Sequence, residues 1–193
     1  MRRHHAWLAL LALVATAPAA DGNIIARTRI EQSLSGFDYL PTAAAILESS
    51  SGDLSQLLTL AASSDPTISP GMRARALRAL GQFPDDIARS TLTNAVMTYR
   101  DSGDRLQVIF LLAAVEGLGQ NGGDAAVPVL ASVLTSDQRD ARVAAALALA
   151  ATDSPDACAP LRVQNTHETN PQVRAALQTA LAQIDDLCIT GVH

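Results

Sequence analysis

Four ten-residue segments of this 193-residue chain repeat one pattern, and that repetition restricts the fold more than any other feature. Residues 72–81 read MRARALRALG, 110–119 FLLAAVEGLG, 141–150 ARVAAALALA and 173–182 VRAALQTALA. Each spaces its apolar side chains as a helix does and closes on a small residue. Three carry an arginine in second place, Arg73, Arg142 and Arg174, where the second segment has Leu111. A period of this kind marks stacked units that bury their apolar faces against neighbours in a row.

A second helix is expected ahead of each segment, over 53–62, 86–99, 124–134 and 156–163, the last being the poorest. All four start at an aspartate: Asp53, Asp86, Asp124 and Asp156. An aspartate there can accept from the free N–H groups of a first turn and suits the positive helix end. Between the paired segments lie SSDPTISPG, RDSGD, TSDQRD and NTHETNP. Such residues stop one helix and start the next, so the reading is four antiparallel hairpins. The inner helices, 106–115 and 141–151, are apolar nearly all round and should be covered all round. In the last helix Val173, Leu177, Ala180, Leu181 and Ile184 form one stripe, as an end repeat requires. Ahead of the repeats, Ile24, Ile25, Ile30 and Leu34 are expected to line one helix and 41–48 to form another. These would cap the first hairpin. Alanine-rich composition with 3% aromatic residues favours an all-α fold over a β-sandwich.

The pattern resembles the HEAT-repeat family, in its short bacterial form with V-R-x-x-A-A-x-A-L-G in the second helix. The resemblance covers roughly 53–186 and implies a right-handed α-α superhelix, a solenoid of four to five hairpins. Leu111 and the missing glycine of the third and fourth segments depart from the motif. The repeated arginines have two readings: a basic ladder gripping an acidic partner, or ties to a turn aspartate such as Asp140 or to a neighbouring carbonyl. The family uses Arg and Asp to join adjacent repeats, so the resemblance implies the second.

The N-terminus is expected to be a secretory leader. Arg2, Arg3, His4 and His5 form a basic head, 6–17 are apolar, and Ala17-Pro18-Ala19 is a small-x-small exit. Cleavage is placed between Ala19 and Ala20. The alternative, a membrane anchor, calls for about 20 apolar residues. The expected organisation is a leader (1–19), a helical cap (20–52), a repeat domain (53–188) and a short tail (189–193). Without Arg2 and Arg3 the chain keeps 12 arginines against 19 acidic residues, a net charge of −7. That sign speaks against nucleic acid and against an anionic membrane surface as partners. Export would place the protein in the periplasm or outside the cell, if bacterial, and permits a disulfide between Cys158 and Cys188. These two sit at opposite ends of the last hairpin, which antiparallel packing brings together. Two buried free thiols are the alternative.

Catalytic patterns are weak throughout. His167-Glu168 is the one His-Glu pair, too few ligands for a di-iron centre of the kind some HEAT-like hydroxylases hold. No G-x-S-x-G elbow occurs. Asp85-Asp86 and Asp185-Asp186 stand at helix boundaries, and Asn121-Gly122-Gly123 lacks the strand and lysine of a phosphate loop. The sequence therefore points to a protein-binding scaffold without cofactor or metal. A HEAT-like lyase or hydroxylase and a structural envelope component are the alternatives.

Overall fold

The computed structural model describes residues 19–36 and 39–190, and every regular element among them is helical. Helices α1 (Ala19–Leu34) and α2 (Ala43–Ser49) come first. Four hairpins follow: α3 (Ser55–Ala62) with α4 (Pro70–Leu80), α5 (Asp86–Tyr99) with α6 (Arg105–Asn121), α7 (Val127–Val133) with α8 (Arg139–Ala151), and α9 (Cys158–His167) with α10 (Pro171–Gln183). A short α11 (Asp185–Thr190) closes the row. The expected leader lies outside the described residues except for Ala19, the first residue of α1. The end of the expected tail, 191–193, lies outside them too. No helix among the described residues is long and apolar enough to cross a membrane.

The helix starts differ in detail from the aspartate rule. Asp85, one residue earlier than expected, caps α5 by accepting from the N–H groups of Ile87 and Ala88. Asp53 stands two residues before α3 and accepts from the Ser55 N–H and hydroxyl. Asp124 and Asp156 fall in 3₁₀ turns that lead into α7 and α9. The second helices begin on Ser69, Asp104 and Asn170, each accepting from the first turn. Short polar side chains bound to nearby backbone compete with helix, so they gather at these edges.

The second helices α4, α6, α8 and α10 pack broadly on one another in sequence, while α3, α5 and α7 touch more sparsely. The tighter row lies on the shorter arc, so the second helices line the concave side of an α-solenoid. Small residues permit this approach. A Cβ on Gly117 would stand 2.6 Å from the Leu77 carbonyl oxygen. One on Gly119 would stand 2.7 Å from Cα of Ala148, and Gly81 faces Gly117 just as closely. These contacts lie below van der Waals distance, and backbone cannot swing aside. Gly119→Ala is therefore expected to cost about 1–3 kcal/mol, read as a lower urea midpoint at unchanged m-value.

Two expectations about burial fail. Ile30 and Leu34 are buried, but Ile24 is 63% and Ile25 52% exposed. Helix α1 packs against α2, α3 and α4; Ile30 and Leu34, four apart, share the covered face, and Ile24 and Ile25 point to other sides of the helix. The inner helices are also not covered all round. Leu106, Ile109 and Leu147 stay between 43% and 48% exposed. In a curved row each second helix has its own first helix behind it and a neighbour on either side, and the concave side stays open.

Candidate functional site

On the open side a groove runs between α6 and α8. Leu112, Glu116 and Gln120 recur every fourth residue along α6 and so share one stripe. Asp140, Val143 and Leu147, three and four residues apart, share one stripe of α8. Together with three alanines of α8 they line a groove of about 390 Å³ whose walls are mostly carbon. Its charged groups are two carboxylates. Arg78 of α4 engages Oε2 of Glu116, and Arg139 engages Oδ1 of Asp140. Both pairs are solvent-exposed, and such pairs contribute about 0–1 kcal/mol.

The three repeated arginines lie at the starts of their helices and outside this groove. Arg73 donates from Nε to the Ala61 carbonyl and from Nη2 to the Tyr99 hydroxyl of the next repeat. Its guanidinium carbon stands 4.4 Å from the Phe110 ring centre, within cation–π range. Arg142 donates to both oxygens of Glu168 in the next repeat, Nε to Oε2 at 2.9 Å and Nη2 to Oε1 at 3.3 Å. It also holds the Ser136 carbonyl of its own turn. Arg174 caps its own turn, donating from Nη2 to the Glu168 carbonyl. Asp140 does not serve as the tie. Residues two apart on a helix point to nearly opposite sides, so Asp140 pairs with Arg139 on the groove rim while Arg142 faces the turn.

Glu168 is the acceptor that the sequence did not single out for this role. Its side chain is 4% exposed. Besides Arg142 it accepts from the Thr169 and Asn170 N–H groups and from Gln164 Nε2. Burial alone would raise its pKa. The Arg142 hydrogen bonds, the Asn170 N–H, Gln164 and the Arg142 charge outweigh that and hold it at about 2. The unfolded value is 4.5, so the folded state favours the carboxylate. Its contribution is complete above the unfolded value and disappears as pH falls from there through the folded one. With screening at the turn it amounts to on the order of 2–3 kcal/mol. The stability gap between wild type and Glu168→Gln is expected to be full at pH 7 and to shrink between about pH 4.5 and 2, as read by urea midpoints at each pH.

Other ties were silent in the sequence. Asn121 is buried; its Nδ2 donates to the Phe83 carbonyl and its Oδ1 accepts from Arg89. The Gly123 N–H reaches the Thr152 carbonyl, and the Ser154 hydroxyl reaches Asp124. Thus the Asn-Gly-Gly loop joins consecutive repeat turns. Cys158 and Cys188 are joined in a disulfide, with Cα atoms 5.6 Å apart. Cys188 sits in α11, a separate helix after the break at Ile184, not directly at the end of α10.

Two family models match the chain. The model for HEAT repeats covers residues 107–182, and the model for the PBS lyase HEAT-like repeat covers 72–96. Among curated proteins none matches the chain. The two matches together span more than half of the sequence and meet the hairpins seen in the fold. The chain belongs to the HEAT-like repeat family.

Proposed function

We propose that this repeat scaffold is an exported, non-catalytic protein-binding module that receives its partner on the concave row of second helices. One observation carries the reading: α6 and α8 are apolar on the side that curvature leaves open, with Leu147 43% exposed and Leu112 half-buried beside it. Exposed apolar surface of this kind in a concave position marks binding sites more often than chance surface does. Arg73, Arg142 and Glu168 are occupied in holding repeats together and Arg174 in holding its own turn, which leaves the groove as accessible surface. The disulfide is compatible with an oxidising compartment.

Two measurements test this. The folded full chain, immobilised and exposed to an extract of its native source, is expected to retain one partner in stoichiometric amount. Repeated failure to retain any protein contradicts the binding role. Intact mass of the protein from that source is expected to correspond to a chain starting at Ala20; a mass that includes residues 1–19 contradicts export by cleavage.

A further inference from the structure

We propose that the cleft between α3 and α5, lined by Arg73, binds a small monocarboxylate. This cleft is separate from the concave groove, and the inference does not depend on the scaffold reading. The end of α3, the start of α4 and one stripe of α5 enclose about 330 Å³, room for a small molecule. Among the described residues that line it, Arg73 alone is charged. Ala61, Ala62 and Ala95 give it an apolar wall, and the rest of the lining carries hydroxyls and one amide.

The repeats themselves supply the comparison. Arg73 and Arg142 are each the fourth residue of a second helix. Each holds a carbonyl of its own hairpin, that of Ala61 and that of Ser136. Each then reaches the end of the first helix of the next repeat. There Arg142 meets the carboxylate of Glu168, whereas Arg73 meets the neutral hydroxyl of Tyr99. Arg73 forms no ion pair among the described residues. The Phe110 and Tyr99 rings stand 4.4 and 5.4 Å from its guanidinium carbon and offset only part of the charge. A guanidinium carries five N–H groups. Holding the repeats takes two of them, and three remain without a protein acceptor among the described residues. The Tyr99 hydroxyl accepts from Arg73 and keeps its own proton to donate. A carboxylate matches these donors as Glu168 matches those of Arg142. One cation answers one negative charge, so a monocarboxylate suits the cleft better than a doubly charged phosphate. The chain's net −5 opposes anions at long range, but at about 0.15 M salt exposed charges are screened beyond about 8 Å. Asp65, next to Ser64 in sequence, is not part of the lining and accepts from the Thr67 N–H and hydroxyl.

The test is an NMR titration of the isotope-labelled full chain at constant ionic strength, read at the Arg73 Nε–H and at the amides of 94–99. Sodium butanoate is expected to give saturable shifts there and to bind at least about tenfold more tightly than neutral butanamide, because charge-assisted hydrogen bonds are the stronger ones. Arg73→Gln should abolish the response. Since Arg73 also ties two repeats, a second variant leaves it in place. Thr98→Glu brings a carboxylate to the cleft at an exposed position. It should abolish butanoate binding while circular dichroism shows the fold kept. No saturable shift, equal binding of butanamide, or wild-type affinity in Thr98→Glu overturns the proposal. The peptide acetyl-Gly-Glu-Gly-amide carries the same carboxylate on a polypeptide. If it binds more than about tenfold more tightly than butanoate, the carboxylate belongs to a protein partner and the small-ligand assignment is overturned.

Discussion

Glu168→Ala is expected to lower the unfolding free energy by about 3–5 kcal/mol. The reason is what the substitution leaves behind. Arg142 is 17% exposed and directs two donors at the missing carboxylate. The N–H groups of Thr169 and Asn170 and the Gln164 amide lose the same acceptor. Burying a lone cation and several unpaired donors costs much more than the intact pair contributes. Replacing both partners, Arg142→Leu with Glu168→Leu, should therefore cost less than Glu168→Ala alone. Urea unfolding of the three proteins checks this; a single variant milder than the double one contradicts it. In a stack of repeats the damage is also local. Amide exchange should quicken first in α9, α10 and α11, while α5 and α6 keep their protection.

Removing the disulfide comes next. Cys158→Ala with Cys188→Ala is expected to cost about 3–4 kcal/mol from the loop-closure entropy of a bridge between residues 30 apart. Both cysteines are buried, at 7% and 6% exposure, so the alanines add a small packing loss. The bridge ties α11 to the first residue of α9, in the last described hairpin. Among the described residues only the short α11 follows α10, so this cross-link does for the last described hairpin what a neighbouring repeat does for the inner ones. Thermal unfolding with and without reductant should reproduce the shift in wild type and show none in the double variant. An equal response to reductant in both would contradict the assignment.

The second helices were legible in the sequence because their 3.6-residue periodicity is strong and recurs. The cysteine pairing was open to the same reading, since an antiparallel hairpin has to bring its two ends together. Glu168 was not legible. Its partner Arg142 is 26 residues away, and which turn meets which helix is set by the offset between neighbouring repeats, not by local spacing. Asp140 seemed a natural partner for Arg142 by proximity in sequence, yet residues two apart diverge on a helix. The groove was hidden for a related reason. Leu106, Ile109 and Leu147 read as core, because composition records that a helix is apolar on every side. Which side stays open follows from the curvature of the stack, and that depends on how closely Gly81, Gly117 and Gly119 let the inner helices approach.

The capture experiment repeated with two single variants probes the binding face most directly. Leu147→Asp puts a charge on the floor of the α6–α8 groove, where the side chain is already 43% exposed. Val163→Asp puts the same charge on α9, a first-layer helix, at a position 60% exposed. Neither should unfold the chain, since surface substitutions are usually worth less than about 0.5 kcal/mol. A partner that the wild type retains is predicted to be lost with Leu147→Asp and kept with Val163→Asp. Retention by Leu147→Asp at the wild-type level, or loss confined to Val163→Asp, would contradict the concave face as the binding surface.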